Sequence, residues 1–158
     1  MIKIGDKIPR ASVQTMSENG PVVHNTDELF GKGKTVLFAV PGAYTPTCSK
    51  AHLPGFVVKA DEIKAKGVDR IVCMAVNDAF VMSAWGKANN AEHLIMLADG
   101  NAEFTKALGL DSDAAAYGMG TRSRRFAMII EEGVVKHLAV EQPREFQVSS
   151  AEAILTKL

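Results

Sequence analysis

One cysteine of this sequence stands in a pattern suited to nucleophilic or redox chemistry. Cys48 follows Thr45 and Pro41 in the stretch PGAYTPTC. The apolar run Lys34–Val40 before it has the length of a buried strand, and the Pro and Gly residues of the stretch end that strand. We therefore expect a strand, a loop and then a helix, with Cys48 in the first helical turn.

The first turn of a helix favours a thiolate, because its backbone N–H groups lack intrahelical acceptors and the helix dipole is positive there. Lowering the pKa of a thiol from about 8.5 to about 6 requires roughly 3.4 kcal/mol. The dipole supplies at most about 2 kcal/mol, whereas a charged hydrogen bond to sulfur adds about 1.5–3 kcal/mol. The pattern therefore predicts a cation, such as an arginine, beside Cys48.

Thiolate formation alone does not explain a fast reaction. Complete ionisation raises the reactive population of a thiol only about 30-fold and lowers its intrinsic nucleophilicity. The Thr45 hydroxyl can accept and donate, and the backbone N–H groups of Thr47 and Cys48 are free at the helix start. These groups predict a site that binds and polarises a small oxygen-containing substrate.

The composition excludes several classes of partner. The 158 residues suit a single domain, residues 1–158, and the 18 basic residues balance the 18 acidic ones. This balance argues against nucleic acid or an anionic membrane as the main partner. No apolar run approaches the ~20 residues of a membrane helix, and no targeting segment is visible. With only two cysteines and no disulfide framework, we expect a cytoplasmic protein.

Strands and helices alternate along the chain, which indicates an α/β architecture. The dipeptide Asn19-Gly20 predicts a hairpin within residues 11–24. The further predicted strands are Arg70–Val76, His93–Leu97, Arg125–Ile130 and Val134–Val140. The predicted helices are Ser49–Lys66, Ala79–Asn89 and a helix that is capped by Asn101 and ends at Leu108. Pro54-Gly55 predicts a kink in the first of these helices. Cys73 lies within the second strand, where a core role without chemistry is expected.

Two late segments complete the prediction. Residues 111–120 are small, polar and glycine-containing, which favours a mobile surface loop. Ser149 and Glu152 match a capping box, which predicts a last helix ending at Leu158.

The order Pro41-x-x-x-Thr45-x-x-Cys48 resembles the active-site signature of the peroxiredoxins, and residues 41–56 (PGAYTPTCSKAHLPGF) resemble the peroxiredoxin 5 type. The similarity continues in residues 4–9, 76–81 and 121–126. It implies a thioredoxin-like fold, with a mixed central sheet, helices on both faces and an N-terminal β-hairpin. It also implies a thiol-dependent peroxidase that reduces hydrogen peroxide and organic hydroperoxides without a cofactor or metal, as a homodimer packed near the active-site loops.

The resemblance assigns roles to residues. Cys48 attacks the peroxide, Thr45 and the loop that begins at Pro41 hold the peroxide oxygens, and Arg125 faces the sulfur. The sequence itself does not choose Arg125 over its neighbours Arg122 and Arg124, so this choice depends on the Arg-Phe pair of the family.

Three further residues, Gly42, Thr47 and His52, are expected to contribute to substrate binding. His52 lies one helical turn after Cys48, so the two side chains share a helix face. A hydrogen-bonding role beside the site and a plain structural role both remain open for His52.

The resemblance also bears on the reductant. Two-cysteine members of the peroxiredoxin 5 type carry a resolving cysteine before the final helix, and Glu141–Glu152 contains none. We therefore expect a one-cysteine cycle, in which glutathione or a glutaredoxin, or alternatively thioredoxin, reduces a Cys48 sulfenic acid. Such a cycle predicts a site open enough for an outside thiol.

Two other functions compete with the peroxidase. A cysteine hydrolase uses a cysteine, a histidine and an asparagine or aspartate, and these types are present as Cys48, His52 and Asn77-Asp78. A non-catalytic peroxide sensor or holdase would use oxidation of Cys48 as a switch.

Overall fold

The molecule is built on a seven-stranded mixed sheet, and the loop that leads to Cys48 begins where an inner strand of this sheet ends. The computed structural model describes residues 1–158. The strands are β1 (Ser12–Ser17), β2 (Gly20–Asn25), β3 (Lys34–Ala39), β4 (Arg70–Ala75), β5 (Ile95–Ala98), β6 (Asp111–Asp113), β7 (Thr121–Ser123), β8 (Phe126–Glu131) and β9 (Val134–Val140). The main sheet has the order β2-β1-β5-β4-β3-β8-β9, and β6 pairs with β7 separately.

Five α-helices cover both faces of this sheet. They are α1 (Thr26–Phe30), α2 (Leu53–Ala65), α3 (Ala79–Ala88), α4 (Glu103–Leu108) and α5 (Ala151–Leu155). None of them is long and apolar enough to cross a membrane.

The main sheet separates two hydrophobic cores. Strand β3 contributes to both of them, because alternate side chains of a strand point to opposite faces of the sheet. Val36 and Phe38 pack with α2, α3 and α5, whereas Leu37 and Ala39 pack with α1 and α4. Parallel pairing of β3 with β4, and of β4 with β5, accounts for the nearly continuous apolar sequences of β3 and β4. The predicted thioredoxin-like α/β fold is confirmed.

The N-terminal hairpin is also confirmed, and it forms one edge of the main sheet through a single pairing of Gln14 with Ala98. Its turn lies one residue earlier than Asn19-Gly20 suggested, because Gly20 already pairs with Ser17. The predicted hairpin of β8 and β9 is present, with Glu132 and Gly133 at positive φ in its two-residue turn.

Three local predictions were wrong. Residues 111–120 lie at the surface as expected but are not a loop throughout, since β6 pairs with β7 and a 3₁₀ turn at Ala115–Tyr117 joins them. The helix after Asn101 is capped by Asp99, whose carboxylate accepts from the N–H groups of Phe104 and Thr105. The last helix is capped by Ser150 rather than Ser149 and ends at Leu155.

The helix after Cys48 begins with a wide turn. Residues Cys48–His52 are π-helical, and the Leu53 N–H donates to the Cys48 carbonyl. Pro54 then follows in the first turn of α2 and has no N–H to donate to the carbonyl four residues earlier. The predicted irregularity therefore takes the form of a π turn before Pro54, and π turns are frequent at functional sites.

Candidate active site

The Cys48 sulfur lies against an arginine that is distant in sequence. The Nη2 of Arg125 donates to Cys48 Sγ at 3.1 Å, and the Cys48 side chain is completely buried. Arg122 and Arg124 make no contact with the sulfur, since they donate to backbone carbonyls instead. The arginine that the free-energy argument required is therefore Arg125.

Sheet register explains how Arg125 reaches the cysteine loop. Strand β8 runs antiparallel to β3, and Phe126 pairs with Ala39 at the carboxyl end of β3. Arg125 therefore lies next to the point where β3 ends and the loop that leads to Cys48 begins. Burial of Phe126 favours this register, because a slip of β8 by one residue would turn its ring to the opposite face of the sheet.

The loop before Cys48 is held by its own hydrogen bonds. The Thr45 hydroxyl donates to the Gly42 carbonyl at 2.7 Å, and the Ala43 N–H donates to Asn77 Oδ1 at 2.9 Å. Because the hydroxyl proton of Thr45 is engaged, its oxygen is left to act only as an acceptor. The N–H groups of Thr47 and Cys48 donate to no loop carbonyl or side chain, so they remain available as donors.

A cavity of about 400 Å³ opens beside this loop, and its lining includes Pro41, Thr47, Arg122 and Arg125. Gly42 is buried behind the lining, where a Cβ would lie 3.3 Å from an Arg122 nitrogen, so a larger side chain would require its neighbours to shift by a few tenths of an ångström. The structure thus brings together the predicted residues Pro41, Gly42, Thr47 and Arg125.

The expectation of an open site is wrong for this conformation. Cys48 has no exposed surface, and it is not among the residues that line the cavity. The sulfur is therefore closed to a peroxide and to a thiol in this conformation, and the surrounding segment must move before either molecule reaches it.

His52 supports the site and does not line it. The ring is fully buried, its Nδ1 accepts from Arg125 Nη1 at 2.8 Å, and its Nε2 donates to the Ser149 carbonyl at 2.9 Å. The expected contact of His52 with substrate is therefore wrong, because both ring nitrogens are occupied by the protein. Burial, followed by the positive charge of Arg125, lowers the pKa of His52 to about 3.

The depressed pKa of His52 predicts that the protein loses stability as the pH falls below about 6.5. The unfolded chain binds a proton on His52 near that pH, whereas the folded chain does not, so acid favours unfolding. The free energy of unfolding should fall by about 2 kcal/mol between pH 7 and pH 5. Urea unfolding at the two pH values measures this difference, and His52→Asn should remove most of it.

His137→Gln is the control for that experiment. Partial burial, followed by Lys157, also lowers the pKa of His137, but its ring is far less buried. The pKa of Glu141 is lowered as well, and its contribution is lost only at more acidic pH. If His137→Gln removes the pH dependence and His52→Asn does not, the assignment to His52 is wrong.

Cys73 is held in the core of the sheet by its two neighbouring strands. It sits in the middle of β4, fully buried, between Phe38 of β3 and Met96 of β5 in the sheet. Burial, followed by the nearby Cys48, raises the pKa of the Cys73 thiol well above its ordinary value. The expected core position is confirmed.

The residues of the hydrolase alternative do not assemble. Asn77 accepts from the Ala43 N–H, Asp78 caps α3 by accepting from the Val81 N–H, and the Nδ1 of His52 is taken by Arg125. No histidine nitrogen is left to accept a proton from Cys48, so the geometry gives no support to a Cys-His-Asn hydrolase.

Sequence reasoning missed the residues that hold the first turn and the histidine. Trp85 Nε1 donates to Ser49 Oγ at 3.0 Å, which ties the π turn to α3. Glu141 is buried and accepts hydrogen bonds from the segment that contacts His52. A lone acidic residue at the end of the apolar run Val134–Val140 was the one sequence signal for Glu141.

Comparison with known proteins agrees with this geometry. The Redoxin family model matches residues 3–155. Peroxiredoxin-2C of rice (Oryza sativa subsp. japonica) is 50% identical over 159 residues, which cover 99% of this chain and 98% of the relative.

Two solved structures extend the comparison. Reduced Prx3 of Vibrio vulnificus in complex with hydrogen peroxide has a TM-score of 0.97 and 58% identity, over 99% of each chain. The antioxidant protein of Plasmodium falciparum, a 1-Cys peroxiredoxin, has a TM-score of 0.90 and 30% identity, over 97% of this chain and 96% of the other. With a buried cysteine, an arginine at its sulfur and full-length relatives of this kind, the chain belongs to the peroxiredoxin family and is a thiol-dependent peroxidase.

Proposed function

We propose that this peroxiredoxin is a one-cysteine enzyme of the peroxiredoxin 5 type that reduces hydrogen peroxide and organic hydroperoxides at Cys48. The observation that carries the proposal is the 3.1 Å contact from Arg125 to the Cys48 sulfur beside the free N–H groups of the loop. The peroxide in the related Vibrio vulnificus structure supports the same substrate for this chain.

In the first step the Cys48 thiolate attacks the terminal oxygen of the peroxide. A sulfur–oxygen bond forms, the oxygen–oxygen bond breaks, and the leaving oxygen takes a proton to depart as water or an alcohol. The N–H groups of Thr47 and Cys48 can donate to the peroxide oxygens while Thr45 accepts from the peroxide hydroxyl. Arg125 holds the thiolate and stabilises the charge that moves onto the leaving oxygen.

The second step needs a thiol from outside the chain. That thiol displaces water from the Cys48 sulfenic acid and forms a mixed disulfide, which a second thiol then resolves. Cys73 is held on both sides by sheet pairing, and residues 141–152 contain no cysteine, which supports an external reductant. Since Cys48 is buried, the segment around it must move before this thiol reaches the sulfur.

We favour glutathione with a glutaredoxin as the reductant. Peroxide consumption is to be measured with glutathione and glutaredoxin in one reaction, and with thioredoxin and its reductase in another. Many turnovers in the first reaction and few in the second are expected. Turnover with thioredoxin alone would contradict the choice of reductant, and no turnover in either reaction would contradict the proposed function.

We also propose a homodimer packed through the active-site loops. Three large side chains, Tyr44, Phe80 and Tyr117, are 57%, 65% and 69% exposed on or near the loops of the site. Exposed aromatic residues are enriched at protein interfaces. Sedimentation should give twice the mass of the chain for the native protein and a monomer for Phe80→Asp; a native monomer would contradict this proposal.

The cytoplasmic location remains a prediction.

A further inference from the structure

A buried carboxylate lies behind the site, at the end of a chain of hydrogen bonds that leads to the reactive sulfur. Glu141 follows β9 directly and is only 4% exposed. Its Oε2 accepts from the N–H groups of Gln147, Val148 and Ser149 at 2.8, 2.9 and 2.8 Å, and from the Ser149 hydroxyl at 2.7 Å. Four donors converge on one oxygen, so this carboxylate fixes the backbone of residues 147–149.

The segment that Glu141 fixes contacts His52 directly. The Ser149 carbonyl accepts from His52 Nε2, which places the ring proton on that nitrogen and leaves Nδ1 as an acceptor. Nδ1 can therefore accept from Arg125 Nη1 at 2.8 Å, while Nη2 of the same guanidinium reaches the Cys48 sulfur. The orientation of the guanidinium thus depends on the protonated nitrogen of His52, and hence on the position of Ser149.

Phe146 provides a second link from the same segment. Its ring centre lies 4.8 Å from that of His52, and the Arg125 guanidinium carbon lies 5.8 Å from the Phe146 ring centre. Residues 146–149 therefore contact the site through a ring on one side and a carbonyl on the other. Displacement of this segment would loosen His52 and Arg125 together.

We infer that Glu141 is a positioning residue for peroxide reduction, which acts through Ser149 and His52 to aim Arg125 at the Cys48 sulfur. Burial raises the pKa of Glu141, but the hydrogen bonds from Ser149, Gln147 and Val148 outweigh burial and hold it below its ordinary value. Glu141 is therefore a carboxylate at neutral pH and a stronger acceptor than an amide. The inference rests on the proposed function for its kinetic consequence alone.

The test compares Glu141→Gln and Glu141→Ala with the native protein. Loss of a partner that orients a metal ligand costs about 10–100-fold in activity, and we expect a loss of the same order in the rate of Cys48 oxidation for Glu141→Ala. Glu141→Gln keeps one acceptor oxygen and should show an intermediate rate. Glu152→Gln removes a charge from an exposed side chain of the helix that follows this segment, outside the lining of the cavity, and should leave the rate unchanged.

Nitrogen NMR of labelled histidine separates positioning from mere loss of stability. In the native protein His52 should carry its proton on Nε2, and in Glu141→Gln we expect a mixture of the two tautomers. If Glu141→Ala does not fold, the rate and tautomer of Glu141→Gln decide the matter. A folded variant with the native rate and the native His52 signal would overturn the inference. Failure of the native protein to reduce peroxide would instead overturn the proposed function, while the NMR result would still test the positioning.

Discussion

Replacing Cys48 with serine is expected to reduce peroxide consumption to the uncatalysed background. A serine hydroxyl remains protonated beside Arg125 and cannot accept an oxygen atom to form a sulfenic acid, so no catalytic cycle begins. The substitution is close in size, and the loop around it keeps its own hydrogen bonds through Thr45 and Asn77. The measurement is the rate of peroxide loss with excess thiol reductant.

Cys73→Ser is the matched control, because it makes the same substitution at the other cysteine. A buried serine hydroxyl in β4 costs about 1–3 kcal/mol of stability if it finds no partner, but it leaves the Cys48 site intact. Most of the peroxidase activity should therefore remain. A folded Cys73→Ser protein without activity would show that Cys73 takes part in the cycle, and the one-cysteine mechanism would then be wrong.

Replacing Arg125 with glutamine is expected to slow the oxidation of Cys48 by about 10- to 150-fold. The substitution removes a charged hydrogen bond to sulfur, and such a bond contributes about 1.5–3 kcal/mol. Stopped-flow fluorescence can follow the reaction, since Trp85 is the single tryptophan and donates to Ser49 next to Cys48.

Arg124→Gln is the control for the loss of charge. Arg124 is the neighbour of Arg125 in sequence, but its guanidinium points at the Glu141 carbonyl and does not contact sulfur. Its replacement should change the oxidation rate by less than about threefold, the effect expected of a screened charge at a distance. Equal losses in both variants would mean that Arg125 acts only through the general positive charge of the cavity.

The local pattern around Cys48 was sufficient to predict the strand, the loop and the first helical turn. Pro and Gly residues end β3, and the apolar sequences of β3 and β4 have the length of buried strands. Arg125 required more than a pattern, because three arginines lie within four residues and only sheet register decides which of them faces Cys48. The family resemblance supplied that choice.

The support behind Arg125 could not be predicted from sequence. It depends on the backbone of residues 147–149, which folds around the Glu141 carboxylate and brings the Ser149 carbonyl to His52 from 97 residues away. The hydrophobic periodicity of the sequence does not indicate a contact between residues so far apart along the chain. The π turn could also be predicted only in part. Pro54 indicated an irregular helix, but the contact of Trp85 with Ser49 depends on the tertiary structure.

Oxidation of Cys48 by peroxide, without a disulfide to Cys73, can be tested directly. The reduced protein is treated with one equivalent of hydrogen peroxide in the presence of dimedone, digested and examined by mass spectrometry. We expect the dimedone adduct on Cys48 and an unmodified thiol at Cys73. A Cys48–Cys73 disulfide as the main product, or an adduct at Cys73 alone, would contradict the proposed one-cysteine cycle.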